Sequence, residues 1–89
     1  MIAVISASFT SVEEAARASA VISASGLHPA IMELIGESAM AGIAAHLRIE
    51  HLGGSQLIVQ FDGPGATTES DAALAIIRSL GGDAMLSTD

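Results

Sequence analysis

The stretch Ser8-Phe9-Thr10-Ser11-Val12-Glu13-Glu14-Ala15-Ala16 decides the fold, because a strand gives way to a helix within it. The run before it, Ile2-Ala3-Val4-Ile5-Ser6-Ala7, is rich in Ile and Val, which predicts a strand covered on both sides or central in its sheet. An alanine-rich segment follows, and residues 30–35 predict a second strand. Residues 2–35 therefore predict one strand–helix–strand unit around which the rest of the chain is built.

The predicted helix of this unit has both start and stop signals. Ser11 and Glu14 have capping-box spacing, in which the serine hydroxyl accepts a hydrogen bond from a first-turn amide and the glutamate side chain reaches back to the N–H of the cap residue. Gly26 is the expected left-handed residue after the helix, and Pro29 follows too closely for the helix to continue. The predicted apolar stripe consists of Val12, Ala15, Ala16, Ser19 and Ile22, with Ala18 and Val21 beside it.

The second predicted strand contains one charged residue, Glu33. By alternation, Glu33 shares a face with Ile31 and Ile35, whereas Met32 and Leu34 point to the other face. One interpretation is an exposed or edge position, because glutamate is seldom buried. The other is a carboxylate that points into a functional site. The residues alone leave both interpretations open.

The remaining sequence predicts two further helices and two further strands. Residues 37–48 predict a helix, and a last helix begins near Thr67 and ends at Gly81-Gly82. Residues 56–62 alternate apolar and polar side chains, which is typical of a half-buried strand in an antiparallel sheet. Residues 84–87 predict a short fourth strand.

The element order predicts the fold class. Two split β-α-β halves, with one extra helix between them, indicate a ferredoxin-like two-layer sandwich of the α+β class. We expect a four-stranded, mainly antiparallel sheet with helices on one face and an inserted helix. The 89 residues are enough for a single domain, residues 1–89. The most buried side chains should be Val12, Ile22, Leu57, Val59, Phe61, Ile76 and Leu80.

Charge and composition exclude several classes of partner. Three arginines stand against ten carboxylates, and the formal net charge is −7. The chain therefore lacks the basic patch that nucleic acids and anionic membrane surfaces require. No apolar run reaches the ~18 residues that span a bilayer. The absence of cysteine excludes disulfides and thiolate chemistry, and we predict a cytoplasmic protein.

The segment His46-Leu47-Arg48-Ile49-Glu50-His51 is the one cluster of metal-ligand residue types. On a helix, His46 and Glu50 would share a face, but His51 would project about 100° away from Glu50. The spacing matches no zinc motif, so we predict no metal site. The glycine-rich turns lack the lysine of a phosphate-binding loop, and no serine lies in a nucleophile elbow. Motif chemistry alone predicts no catalytic residue.

Five short motifs occur in an order that indicates a family. They are Ser8-Phe9, the run from Ser11 to Ala16, Gly26-Leu27-His28-Pro29-Ala30-Ile31-Met32-Glu33-Leu34, Leu57-Ile58-Val59-Gln60-Phe61-Asp62-Gly63 and Gly81-Gly82-Asp83-Ala84. In order and spacing they resemble the C-terminal domain of FAD-linked oxidases, the glycolate oxidase and D-lactate dehydrogenase type of flavoenzyme. The resemblance covers nearly the whole chain.

The resemblance implies a role within a larger enzyme. Residues 1–89 would be the first part of a domain that roofs the substrate side of the flavin ring, and the flavin-binding domain of the same chain would hold FAD. The substrate would be a small 2-hydroxy acid such as glycolate or D-lactate. This fragment would then bind no FAD itself and would contribute no catalytic residue. The substrate, the electron acceptor and any homo-oligomer are left open.

Glu33 matches the Glu-Leu motif of the family, so the resemblance makes it the substrate-side candidate. Two other positions depart from the family pattern. Gly36 stands where the family usually has aspartate, and Gln60 stands where it usually has glutamate. The alternative function is a free-standing ferredoxin-like module that binds a small ligand or regulates by dimerising. The turn after the first strand lacks the Asp-x-Pro-Gly signature expected of such a module.

Overall fold

The computed structural model describes residues 1–36, 39 and 54–88. In this part the chain forms β1 (Ile2–Phe9), α1 (Val12–Ala24), β2 (Ile31–Ile35), β3 (Ser55–Asp62), α2 (Ala66–Ser79) and β4 (Asp83–Thr88). The inserted helix predicted over residues 37–48 lies, apart from residue 39, outside the described residues.

The four strands form one sheet in the order β2-β3-β1-β4. Every neighbouring pair is antiparallel. β1 lies inside the sheet, as its apolar sequence predicted, and β2 and β4 are the edge strands. Helix α1 connects β1 to β2, and α2 connects β3 to β4. This topology confirms the predicted ferredoxin-like α+β sandwich.

The core lies between the two helices and one face of the sheet. Alternate residues of β1 and β3 point toward the helices, which gives the alternating burial of both strands. Many of these side chains are alanines, which let the helices approach the sheet closely. The buried apolar residues are Ala3, Ile5, Ala7, Phe9, Ala15, Ala18, Ile22, Leu57, Val59, Phe61, Ala66, Ala73 and Ile77. The predicted burial of Ile22, Leu57, Val59 and Phe61 is therefore confirmed.

The face of α1 that packs against the sheet is rotated by part of a turn from the predicted apolar stripe. The buried residues of this helix are Ala15, Ala18 and Ile22, whereas Val12 is 41% exposed. Val12 and Ala16 point roughly 90° or more away from the line through the buried positions. In α2 the buried isoleucine is Ile77, and the predicted Ile76 and Leu80 are partly buried beside it. Because α1 has small side chains on several faces, its sequence does not show which face packs against the sheet.

The ends of α1 follow their sequence signals. Ser11 is the N-cap, and its hydroxyl accepts a 3.2 Å hydrogen bond from the N–H of Glu14. The Glu14 carboxylate accepts instead from the hydroxyl of Thr10, at 2.9 Å, so only half of the predicted capping box forms among the described residues. Gly26 has a φ of 79°, which a residue with a side chain rarely adopts, and it ends the helix as predicted.

Candidate functional site

The face of the sheet opposite the helices is the candidate site, and we call it the open face. Among the described residues no helix packs against it. The strand registers arrange its side chains in rows across β2, β3, β1 and β4. The rows are Ile35, Gln56, Ser8 and Asp83; Glu33, Ile58, Ser6 and Met85; Ile31, Gln60, Val4 and Ser87; and, on the two inner strands, Asp62 and Ile2.

The open face mixes exposed apolar and polar side chains. Ile2 is 40% exposed, Ile31 is 44% exposed and Met85 is 69% exposed. Val4 and Ile58, near the middle of the face, are half-buried. Apolar side chains exposed together on one sheet face are a common mark of an interaction surface.

Glu33 lies on this face, with Ile31 and Ile35, as the alternation predicted. It stands opposite Ile58 in the pairing of β2 with β3, and its side chain is exposed. In the described part of the chain its carboxylate has no hydrogen bond or ion pair. Its role on the substrate side stays a prediction.

Short side chains on β1 leave a depression in the open face. Ser6 and Ser8 are shorter than their neighbours Gln56 on β3 and Met85 on β4, so the surface sinks along β1. We call this depression the serine trough. Its lining residues are Ser6, Ser8, Gln56, Asp83, Ala84 and Met85.

Sequence reasoning missed the serine trough. Its one signal was the pair of serines, two residues apart, in a strand otherwise made of apolar residues. By alternation that spacing puts both hydroxyls on one face. Gln56 and Asp83 lie beside Ser8 because of the way β3 and β4 pair with β1. This pairing is a property of the tertiary structure and could not be predicted from the sequence.

The open face is acidic. Its charged residues, within the part of the chain that the structure describes, are Glu33, Asp62 and Asp83. The arginines that the structure describes, Arg17 and Arg78, lie on the two helices, and the guanidinium of Arg78 donates a 3.4 Å hydrogen bond to the backbone carbonyl of Ala84 on the edge strand β4. Among residues 1–36, 39 and 54–88 the side chains of the open face itself include no cation, so its carboxylates would repel a carboxylate ligand.

The two departures from the family pattern lie in or beside the open face. Gln60 is half-buried on it, and its side-chain amide donates a 3.1 Å hydrogen bond to Oδ1 of Asp62. An amide in place of a glutamate removes one negative charge next to Asp62. Gly36 directly follows β2, where an ideal Cβ would meet no other atom within 4 Å.

A second cleft lies where α1 begins. It is lined by Thr10, Ser11, Val12, Glu13, Gly36, Ala39 and Ser55. The side chain of Ser55 is 2% exposed, and its hydroxyl finds no hydrogen-bond partner within the described ranges. Among its described lining residues there is no arginine, lysine or histidine, and Glu13 adds a negative charge to the cleft.

Part of the prediction that the chain holds no metal concerns described residues. Within residues 1–36, 39 and 54–88, no group of three His, Asp or Glu side chains could hold a metal ion. His46, Glu50 and His51 lie outside the described residues, so the prediction that they bind no metal stays a prediction.

The comparison with known families decides the relationship. The sequence profile of the family described as "FAD linked oxidases, C-terminal domain" matches residues 1–88. The chain belongs to this family. No curated protein is significantly similar to it.

Membership in the FAD-linked oxidase family supplies the general chemistry. A C-terminal domain of such an oxidase is part of an oxidoreductase and a flavoprotein, and FAD is the cofactor of the parent enzyme. That this chain alone holds no FAD stays a prediction, as does its place as the first part of the domain.

The open face suits one part of FAD better than another. The half-buried Val4 and Ile58 in its middle can pack against a planar ring. The diphosphate of FAD requires cations or clustered N–H donors. The described part of this face presents carboxylates in their place, so these residues fit the flavin ring and not the diphosphate.

The helices of the described ranges bear on the prediction that no segment spans a membrane. No helix of the described ranges is both long and apolar enough to cross a membrane. The cytoplasmic location stays a prediction.

Proposed function

We propose that this domain forms the substrate side of an FAD-dependent oxidoreductase that oxidises a small 2-hydroxy acid, such as glycolate or D-lactate. The observation that carries the proposal is the open face, a sheet surface with exposed Ile2, Ile31 and Met85, in a domain of the FAD-linked oxidase family. In this proposal the open face covers the flavin ring, and the substrate lies between the face and the ring.

The area of the open face supports a partner within the same enzyme. The strands contain five to eight residues each. At ~3.3 Å per residue and ~4.8 Å between strands, the face covers roughly 400 Å². Two such surfaces in contact would bury roughly 800 Å² in total, which lies within the range of ~600–1,500 Å² for domains of one chain.

The same area argues against a free-standing dimerisation module that uses this face. Stable complexes between separate proteins bury ~1,200–2,000 Å² in total. A second copy on the open face would fall short of that range. The flavin-binding domain of the same chain is therefore the partner that we propose.

Each part of the face has a proposed task. Val4 and Ile58 pack against the ring and exclude water from it, because their side chains are aliphatic and lie in the middle of the face. FAD, when bound, accepts the electrons removed from the hydroxyl-bearing carbon of the substrate. Excluding water strengthens the electrostatic interactions that orient the substrate.

Glu33 acts in this proposal as a positioning residue. An ionised glutamate would repel an anionic hydroxy acid unless a cation lay between them, so direct contact with the substrate carboxylate is unfavourable. Its exposed carboxylate is free to accept hydrogen bonds from a group of the partner domain. The substrate carboxylate must then be held by cations outside the described open face.

Anaerobic reduction of the flavin in the intact enzyme tests the proposed function. The enzyme is mixed with D-lactate, with glycolate, and with propionate as the matched compound that lacks the hydroxyl. We expect the visible flavin absorption to bleach with a 2-hydroxy acid and to persist with propionate. Bleaching by an unrelated alcohol or amine, with no response to any 2-hydroxy acid, would contradict the proposed substrate class.

A further inference from the structure

The serine trough contains polar groups that lack protein partners. The side chains of Ser6, Ser8, Gln56 and Asp83 make no hydrogen bond or ion pair to any residue within the described ranges. Ser6 and Gln56 are nevertheless half-buried. Half-buried polar groups are ordinarily satisfied by protein, water or a ligand, because leaving them unpaired costs free energy. Once the open face is covered, bulk water no longer provides these partners.

The chemistry of the trough indicates what would satisfy it. Two hydroxyls and one amide both donate and accept hydrogen bonds, and the Asp83 carboxylate accepts them. A hydroxyl group of a ligand can donate to Asp83 and accept from a serine or from Gln56. A methyl group would leave all of these groups unpaired. A carboxylate would be repelled by Asp83.

The size of the trough fits a short chain of hydroxyl-bearing carbons. Ser6 and Ser8 lie two residues apart on one strand, so their side chains are separated by roughly 6.6–7 Å. Gln56 and Met85 rise on the two sides, and Asp83 stands beside Ser8 in the pairing of β1 with β4. This space runs along β1, next to Val4 and Ile58 in the middle of the open face.

We propose that the serine trough binds the hydroxylated side chain of the substrate, so that the enzyme prefers 2-hydroxy acids with a further hydroxyl at carbon 3 over their alkyl counterparts. The inference rests on the proposed function, because it requires the open face to cover the substrate. Ser6, Gln56 and Asp83 then determine specificity. The substrate carboxylate points away from the trough, toward cations outside the described open face.

D-glycerate and D-lactate are the matched pair of substrates for the test. They differ by one hydroxyl on carbon 3, which the trough would bind. In the intact flavoenzyme we expect kcat/KM for D-glycerate to exceed that for D-lactate at least tenfold. Ser6→Ala should remove most of this preference by lowering kcat/KM for D-glycerate and raising kcat/KM for D-lactate, because alanine leaves no unpaired hydroxyl beside the methyl group of D-lactate.

Ser87→Ala is the matched control, since Ser87 is an exposed serine on the open face outside the trough. This variant should leave the ratio of the two kcat/KM values unchanged. Binding of the two acids to the enzyme with its flavin already reduced gives a readout without turnover. Ser6→Ala should weaken binding of D-glycerate at least fivefold and should not weaken binding of D-lactate, whose methyl group makes no hydrogen bond with Ser6.

The outcomes separate this inference from the proposed function. Oxidation of both acids with the same ratio in wild type and Ser6→Ala, or an equal loss for both acids, overturns the serine trough as the hydroxyl subsite and leaves the proposed function standing. Oxidation of neither acid, nor of glycolate, overturns the proposed function and this inference with it. Variants are compared at equal flavin content, so a misfolded variant is recognised before its kinetics are interpreted.

Discussion

The backbone N–H of His28 donates a 2.9 Å hydrogen bond to Oε1 of Glu69, 41 residues further along the chain. This bond joins the loop before β2 to the first turn of α2. Glu69 also lies at the positive end of the dipole of α2, whose N-cap, Gly65, offers no side-chain cap. The start of β2, and with it the strand that carries Glu33, is thereby fixed to the second half of the domain.

We expect Glu69→Ala to lower the free energy of unfolding by about 1–2 kcal/mol, because it removes both this hydrogen bond and a favourable charge at the helix N-terminus. Glu13→Ala is the control, since Glu13 also lies in the first turn of a helix, α1. It should cost no more than about 0.5–1 kcal/mol, the dipole contribution alone. Urea denaturation measures both. Equal destabilisation would mean that the bond to His28 contributes nothing.

Gly82 lies so close to the core that a side chain does not fit. A Cβ there would stand 2.6 Å from Cγ2 of Ile77 and 2.7 Å from Cζ of Phe9. We therefore expect Gly82→Ala to destabilise the domain by about 1–3 kcal/mol through overpacking.

Gly36→Ala is the comparison for Gly82→Ala, because a Cβ at Gly36 meets nothing within 4 Å. It should leave stability unchanged or raise it by up to about 1 kcal/mol, since alanine restricts the unfolded chain. The measurement is the thermal midpoint of unfolding of each variant. A thermal midpoint for Gly82→Ala as high as that of Gly36→Ala would contradict the packing described around Phe9.

The 89-residue chain should bind no FAD by itself, because its described residues offer no site for the diphosphate. Purified chain mixed with FAD and then dialysed should be colourless. The measurement is the visible absorption after dialysis, with the intact flavoenzyme as the positive control. Retention of one flavin per chain would show that the division of tasks between the two domains is wrong.

Glu33→Gln in the intact enzyme should lower kcat/KM at least tenfold, about 1.4 kcal/mol, if the carboxylate positions a group near the substrate. Flavin content and thermal midpoint should stay normal, because the side chain is exposed and has no partner among the described residues. Glu13→Gln, on the helix side of the sheet, is the control and should keep wild-type kinetics. Wild-type kinetics in Glu33→Gln would contradict the positioning role and mean that Glu33 is an ordinary surface residue.

Much of the fold could be predicted from periodicity and end signals. Alternation in β3 gave its buried face correctly, because Leu57, Val59 and Phe61 are large apolar residues set between polar ones. The contact line of α1 could not be predicted in the same way. Its candidate contact residues are mostly alanines, and hydrophobicity does not distinguish the buried Ala15 from the exposed Ala16. Only packing against the sheet separates them.

The part of the candidate site that depends on one strand could be predicted, and the part that depends on the pairing between strands could not. The face of Glu33 follows from alternation within β2 alone. The serine trough depends on two strand registers, Ser8 with Gln56 and Ser8 with Asp83, which bring together residues from three separate segments. No local pattern specifies those registers. The family resemblance, by contrast, depends on the order of short motifs and was accessible from the sequence.

The central claim is that the open face is covered in the intact enzyme, and cysteine labelling tests it most directly. The chain contains no cysteine, so a single introduced thiol is a clean probe. Ile31 on the open face is 44% exposed, and Val12 on the helix side is 41% exposed, which makes Ile31→Cys and Val12→Cys a matched pair.

Both thiols should react with a maleimide at similar rates in the isolated chain. In the intact flavoenzyme, with any cysteines outside this domain replaced, we expect Ile31→Cys to react at least tenfold more slowly than in the isolated chain and Val12→Cys to be slowed less. An Ile31→Cys thiol that reacts as fast in the intact enzyme as in the isolated chain would contradict the claim that this face covers the flavin and its substrate.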